Sequence, residues 1–319
     1  MKPLKVRASS VDQFITCPRM YYFAQVRGLF PKIENPKLFF GTGFHQGVAE
    51  YYKTFSLDNA VNKYREWLAK ASARVLELGA DPEYTAESTR LGEMLLIEYV
   101  AFARVHDDFS VLNVETKFEV PVWDTQGKQL KVVCPDCKGA LEAVASCLRC
   151  DGAGEIPVVH TGTFDAIVRD NYGKLRLMEH KTAKDFPTEL SIQLNMQLNW
   201  YILALNQLFD EPIHGAVYNI TRKVNPMKAR TPVVKRMYAT RTDKEVLYNK
   251  HMLAHLAEDM LHREVYPPHP GFHCGWKCAY VQLCTATQEC LGEKEFEALV
   301  NHGYVVVEDK EVEEDKDGD

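Results

Sequence analysis

The feature that most constrains this 319-residue chain is a pair of cysteine knuckles, CPDCKG (Cys134, Cys137) and CLRCDG (Cys147, Cys150), with nine residues between Cys137 and Cys147. Each CxxC offers two thiolates from one tight turn, and two knuckles fill a tetrahedron, so the stretch must close on itself around a metal. Zinc is the expected occupant. The Cys- and Gly-rich insertion, about residues 125–157, is then a small ribbon, and a staple that keeps a long loop from fraying outweighs DNA contact as its role.

The ribbon interrupts a pattern of alternation. VLNVETKFEVPVW before it, and GTFDAIVRD and KLRLMEHK after it, read as three strands, the last two joined at the turn signal DNYG. Upstream the spacing is helical: VDQFITCPRMYYFAQV after Ser10, disturbed at Pro18, then a helix after the glycines of FGTGFHQGVAEYY. Asp58–Leu78 and Tyr84–Val105 follow, with Ser56 and Asp81 as start signals. Downstream, Glu189–Leu208 is helical, AVYNIT and VVKRMYAT are strands, and Lys244–Arg263 is a helix. Residues after Tyr266 are Pro- and Cys-rich with little periodicity. The order predicts an α/β fold.

With 46% hydrophobic and 26% charged residues the composition is that of a globular protein, and no window approaches the ~18 apolar residues of a membrane span. MKPLKVRASS lacks an apolar signal core, so a cytoplasmic location is expected. There, nine cysteines favour metal ligation or catalysis over disulfides. The net charge of −6 resides in the tail EDKEVEEDKDGD, eight acids against two bases, which reads as disordered. Residues 221–245 hold eight bases (Arg222, Lys223, Lys228, Arg230, Lys235, Arg236, Arg241, Lys244) against Asp243 and Glu245, a basic surface or a solvated face.

One hairpin concentrates chemistry. Asp165 lies on its first strand, while Glu179 and Lys181 lie two apart on the second and share a face. Carboxylates gathered this way repel, and a hard cation such as Mg²⁺ or Mn²⁺ relieves the repulsion; a lysine beside it orients water or steadies developing charge. Gln193, Gln197 and Tyr201 recur every four residues on the following helix as a polar stripe. His45 follows the glycines of GTGFH near a helix start.

Taken in order, Ser10, Cys17-Pro18-Arg19, Gly41-Thr-x-x-His45, Gly162-x-x-Asp165, Glu179-x-Lys181 and Gln197-x-x-x-Tyr201 resemble the RecB-like nucleases of the PD-(D/E)xK superfamily. With three late cysteines added, the chain is most similar to the CRISPR-associated exonuclease branch and its phage-encoded relatives. The resemblance implies a mixed central sheet flanked by helices, with His45, Asp165, Glu179 and the main-chain carbonyl of His180 as ligands of Mn²⁺ or Mg²⁺. Lys181 would be the catalytic lysine, and Gln197 and Tyr201 would position the site and the DNA. The implied reaction is attack of an activated water on a phosphodiester of DNA, most readily at single-stranded ends. The imidazole ligand favours Mn²⁺.

The resemblance also implies a 4Fe-4S cluster on Cys17, Cys274, Cys278 and Cys284, clasping the two ends of the domain. Zinc would accept the same thiolates, the CxxxC spacing departs from the more usual CxxC, and Cys290 is a rival ligand. The paired knuckles are absent from the family's common pattern and read as an inserted zinc ribbon. The implied organisation is a helical N-terminal part (1–107), a nuclease core (108–265), a cluster module (266–291) and an acidic tail (305–319). A catalytically silent DNA-binding or assembly subunit, or the nuclease subunit of a helicase-nuclease complex, are the rivals. Partners would be DNA and proteins of recombination, replication or CRISPR adaptation, with no membrane.

Overall fold

The computed structural model describes residues 3–32, 36–77, 82–124, 126–134, 136–213, 215–275, 278–286 and 292–306. In chain order the elements begin with β1 (Leu4–Arg7), α1 (Ala8–Thr16), α2 (Pro18–Tyr21), β2 (Leu29–Pro31), α3 (Pro36–Thr54), α4 (Leu57–Glu77) and α5 (Pro82–His106). Then come β3 (Phe109–Pro121), β4 (Lys131–Val133), α6 (Leu141–Val144), β5 (Glu155–Asp170), β6 (Leu175–Ala183), α7 (Glu189–Gln193) and α8 (Met196–Leu208). The chain continues through β7 (Gly215–Arg222), β8 (Val234–Thr240), α9 (Asp243–His262), α10 (Val281–Thr285), α11 (Glu293–Gly303) and β9 (Tyr304–Val306).

A seven-stranded mixed sheet runs β1-β5-β6-β7-β8, with β3 and β4 also on β5. β5 is the organising strand: β3 and β6 pair with it antiparallel, and β1 joins it in parallel. The DNYG turn between β5 and β6 forms because Asp170 Oδ1 accepts the backbone N–H groups of Tyr172 and Lys174 (3.0 and 2.9 Å) and Gly173 supplies φ +76°. β6 and β7 are parallel, so the chain must cross over between them, and α7 and α8 make that crossing.

Each face of the sheet is covered by helices. One core unites Val11 and Phe14 of α1, Leu198, Trp200 and Ile202 of α8, and Leu253 and Ala257 of α9 with Leu177 and Ile220 of the sheet. The other unites Phe44 and Val48 of α3, Tyr64 of α4, and Leu95 and Tyr99 of α5 with Met178 and Val217. The long β3–β5 ribbon serves both cores in turn. Val114, Ala166 and Val168 face the second, whereas Phe118, Val120, Val158 and Phe164 face the first, so the ribbon turns over between Ala166 and Phe164. Glu115, at a left-handed φ of 50°, stands at that crossing opposite Asp165, between the pairs Val114–Ala166 and Thr116–Phe164.

The structure adds to and corrects the sequence reading in several places. The N-terminal part is not purely helical, because β1 enters the sheet beside Val158–Thr161. Ser10 sits inside α1, where its hydroxyl accepts from Arg7 N (3.0 Å) and donates to Arg7 O (2.8 Å). The helix expected over 189–208 is two helices, since Asn195 Oδ1 caps α8 on Leu198 N and breaks the run. Val305 and Val306, placed in the acidic tail by the sequence, join Tyr304 in β9 against β2; Asp81, Cys290 and residues 307–319 lie outside the described residues. No described helix is long and apolar enough to cross a membrane.

Candidate active site

The β5–β6 ladder closes at Ala166 and Met178, one residue short of Asp165 and Glu179. Beyond that point the strands part. The His180 backbone N–H donates to Asp165 Oδ2 (2.7 Å) in place of a main-chain acceptor. The fork thereby places Asp165, Glu179 and Lys181 at one opening, as their spacing in sequence predicts. α3 closes in from one side and brings His45 Nδ1 to 3.5 Å from Asp165 Oδ1. α8 closes in from the other, and Gln197 Nε2 donates to Glu179 Oε1 at 2.8 Å.

Glu179 is 2% exposed, and its two oxygens differ. Oε1 receives both Gln197 and the Lys181 ammonium (2.7 Å), whereas Oε2 is buried without a hydrogen-bond partner. An unpaired buried carboxylate oxygen is costly, so it marks a place built for something positive. Burial, and next the neighbouring Asp165, push the Glu179 carboxyl up to about 7 against the pull of Lys181. Asp165 goes the other way: burial raises it, but His45, His180 and Lys181 together hold it well below the ordinary carboxylate range. His45 is raised because Asp165 outweighs the burial that would lower it, and Lys181 is raised because Glu179 and Asp165 outweigh its burial.

Two further side chains belong to this opening that the sequence reading missed. Burial raises Glu115 to about 7, with Asp165 adding to the shift. Tyr218 pairs with Glu179 in the β6–β7 register and is pushed up to about 12, mainly by burial. Gln193 does not take part. The break at Leu194 turns it to Arg241, whose Nη1 donates to its Oε1 (2.9 Å). The His180 side chain likewise points away, with Nδ1 3.1 Å from the Tyr99 hydroxyl and its ring stacked on Tyr52; burial lowers its pKa to about 3.

The glycines of the motifs have steric reasons. A Cβ at Gly162 would stand 3.0 Å from the Phe118 ring and 3.2 Å from the Tyr201 hydroxyl, so a side chain there would displace Tyr201. At Gly43 a Cβ would meet Trp67 Cδ1 of α4 at 2.5 Å, which is the close α3–α4 approach that carries His45 to the fork.

The four ribbon cysteines assemble. Cys134–Cys147 and Cys137–Cys150 each lie 3.7 Å apart, and the four sulfurs are within 4.8 Å of one another. The edge of a tetrahedron with ~2.3 Å metal–sulfur bonds is about 3.8 Å. The knuckles repeat one turn: Lys138 and Gly139 after the first, and Asp151 and Gly152 after the second, all take φ between 50° and 76°. Among the described residues this is the one cluster whose ligand atoms come that close. Cys17, Cys274, Cys278 and Cys284 form a looser group, in which the other three thiols act on Cys278 alongside the burial that chiefly raises it. Cys17 lies in an extended break between α1 and α2 created by Pro18, and its Sγ accepts the His269 N–H at 3.3 Å.

No curated protein matches the chain. Among solved structures it is similar to the crystal structure of SSO0001 at 13% identity and a TM-score of 0.39, over 90% of this chain and 88% of that one. The profile of the PD-(D/E)XK nuclease superfamily matches residues 6–285, a span that takes in the fork, His45, the α8 pair and both cysteine sets. The chain belongs to the PD-(D/E)XK nuclease superfamily.

Proposed function

We propose that the chain is a Mg²⁺- or Mn²⁺-dependent deoxyribonuclease of the RecB-like, phage-type exonuclease branch, acting at single-stranded DNA ends. The observation that carries this reading is the unpartnered, buried Glu179 Oε2 at the fork beside Asp165. In it, His45, Asp165, Glu179 and the His180 carbonyl hold the ion, and the mixed nitrogen and oxygen donors suit Mn²⁺. A bound ion supplies charge neutralisation and an acidified water. Lys181, fixed by Glu179 at 2.7 Å, presents a full positive charge to the developing phosphorane. Gln197 holds Glu179 from behind, and Tyr201 stands against Gly162 at the wall of the opening.

The test is digestion of end-labelled single-stranded, duplex and circular single-stranded DNA with and without Mn²⁺. Mn²⁺-dependent shortening of the linear single strand, with the circle spared, is expected. A circle cut as fast as the linear strand makes the enzyme an endonuclease, and no cleavage of any substrate overturns the reading. His45→Ala and Glu115→Gln are expected to raise the Mn²⁺ concentration for half-maximal rate by ~10-fold or more, with a smaller effect at saturating metal. An unchanged titration in either variant removes that residue from the metal's surroundings.

The ribbon is assigned to zinc as a structural site. It pairs with β5 at Glu155–Pro157, roughly 30 Å along that strand from Asp165, which favours a staple over a catalytic part. Purified protein is expected to carry about one zinc per chain at this site. Cys137→Ser should lose it and expose the 125–157 segment to protease while cleavage continues. Full zinc in Cys137→Ser would move the ion elsewhere.

The clasp is assigned to a 4Fe-4S cluster. What supports it is the resemblance together with the mutual influence of the four thiols around Cys278.

A further inference from the structure

The hairpin between β7 and β8 carries a charge pattern that plays no part in the fork. From Arg222 to Lys235 there are five bases and no acid. The remainder of the basic stretch is largely structural: Arg236 pairs with Asp107 at 2.6 Å, and the buried Arg241 donates to Asn199 and Gln193. Arg222 secures the hairpin itself through the Thr231 and Pro232 carbonyls. Lys228, Arg230 and Lys235 are exposed.

The register ties this surface to the site. Lys181 pairs with Ile220, and Ile220 pairs with Lys235. Paired residues project from the same face, so Lys181 and Lys235 stand in one row, two strand spacings or about 10 Å apart. The neighbouring row is Glu179, Tyr218 and Met237. Phe186, in the loop that follows β6, is half-buried against the first core, with the Arg222 guanidinium carbon over its ring at 5.0 Å and the Lys235 ammonium over it at 6.0 Å from the centroid. A half-buried aromatic ring topped by cations thus begins in the row of Lys181 at the fork.

We infer that Phe186, Lys235, Lys228 and Arg230 form a track that holds one DNA strand beside the cleavage site, the ring stacking on a base and the cations meeting phosphates. This rests on the nuclease reading. A duplex keeps its base faces stacked, whereas an unpaired strand offers a phosphate at every step together with an open π face, so the track selects a single strand. The strand passes from the fork across Lys235 toward the hairpin tip at Lys228 and Arg230.

The experiment measures binding of a fluorescent oligothymidylate to Asp165→Asn protein, which retains the hairpin, as salt is varied. The slope of log affinity against log salt is expected to fall by about 0.7 for each phosphate that no longer meets a cation, hence about 2 in the Lys228→Ala, Arg230→Ala, Lys235→Ala triple variant. Phe186→Leu should keep the slope and weaken strand binding about tenfold, leaving a blunt duplex unaffected, while Phe186→Tyr retains the ring and restores affinity. An unchanged slope in the triple variant overturns the track. So does a Phe186→Leu effect shared by strand and duplex, or one that Phe186→Tyr fails to rescue. Mn²⁺-dependent cleavage by the wild-type protein reports separately: its absence with the expected slopes sinks the nuclease reading and keeps the track, and cleavage with unchanged slopes does the reverse.

Discussion

Lys181→Ala is expected to lower Mn²⁺-dependent DNA cleavage by about 10²–10⁴-fold, and Asp165→Asn and Glu179→Gln by at least as much, with the fold intact. The reason lies in the surroundings that the fold gives these side chains. Glu179 is buried beside Asp165, one of its oxygens lacks a partner, and its carboxyl is raised to about 7. The folded protein thus binds this proton more tightly than the unfolded chain, so the contribution of Glu179 to stability is present at low pH and declines as pH rises from the unfolded value through about 7. In EDTA, the melting temperature of the wild type should therefore fall over that window more than that of Glu179→Gln, which has no charge to bury. A site kept for function at the cost of stability behaves this way. Wild-type cleavage by Lys181→Ala, or a Glu179→Gln protein that unfolds, would show that these groups serve the core instead.

The hairpin was legible because two periodicities agreed. Alternation on β6 puts Glu179 and Lys181 on one face, and the turn residues Asp170 and Gly173 fix the register that sets Asp165 opposite. Glu115 left no comparable trace. In VLNVETKFEVPVW an acid at every fourth position reads as a solvated strand face, and nothing local announces that the β3–β5 ribbon turns over at Glu115 and exchanges one core for the other. Gln193 misled for the opposite reason, since an every-fourth-residue stripe assumes a continuous helix and the cap at Asn195 ends that assumption. β1 and β9 are short edge pieces of four and three residues, whose pairing is decided by what lies beside them in space.

Cys17→Ser is expected to bleach the protein and lower its melting temperature by roughly 10 °C, a loss of a few kcal/mol, because cluster binding and folding of the clasp are linked. Anaerobically purified wild type should be brown, with visible absorption that reductant bleaches, while zinc stays at about one atom per chain in the ribbon. The structure limits how far the damage spreads. The two ends of the chain are also joined without metal: β2 pairs with β9, Tyr280 donates to Leu29 O at 2.8 Å, Tyr304 donates to Ala279 O at 2.7 Å, and Arg19 Nε reaches Tyr266 O at 2.9 Å. Phe23, Leu29, Leu283, Phe296 and Val300 form a separate small core there. Loss of the cluster should therefore loosen this module, read as faster amide exchange in α10 and α11, while Trp200 and the sheet keep their protection. A colourless wild type with two zincs and no iron would replace the cluster with a second zinc site. Cys290→Ser should remain brown; if it bleaches while Cys284→Ser does not, Cys290 replaces Cys284, and if it bleaches while Cys17→Ser does not, Cys290 is the fourth ligand and the clasp does not reach back to the break between α1 and α2.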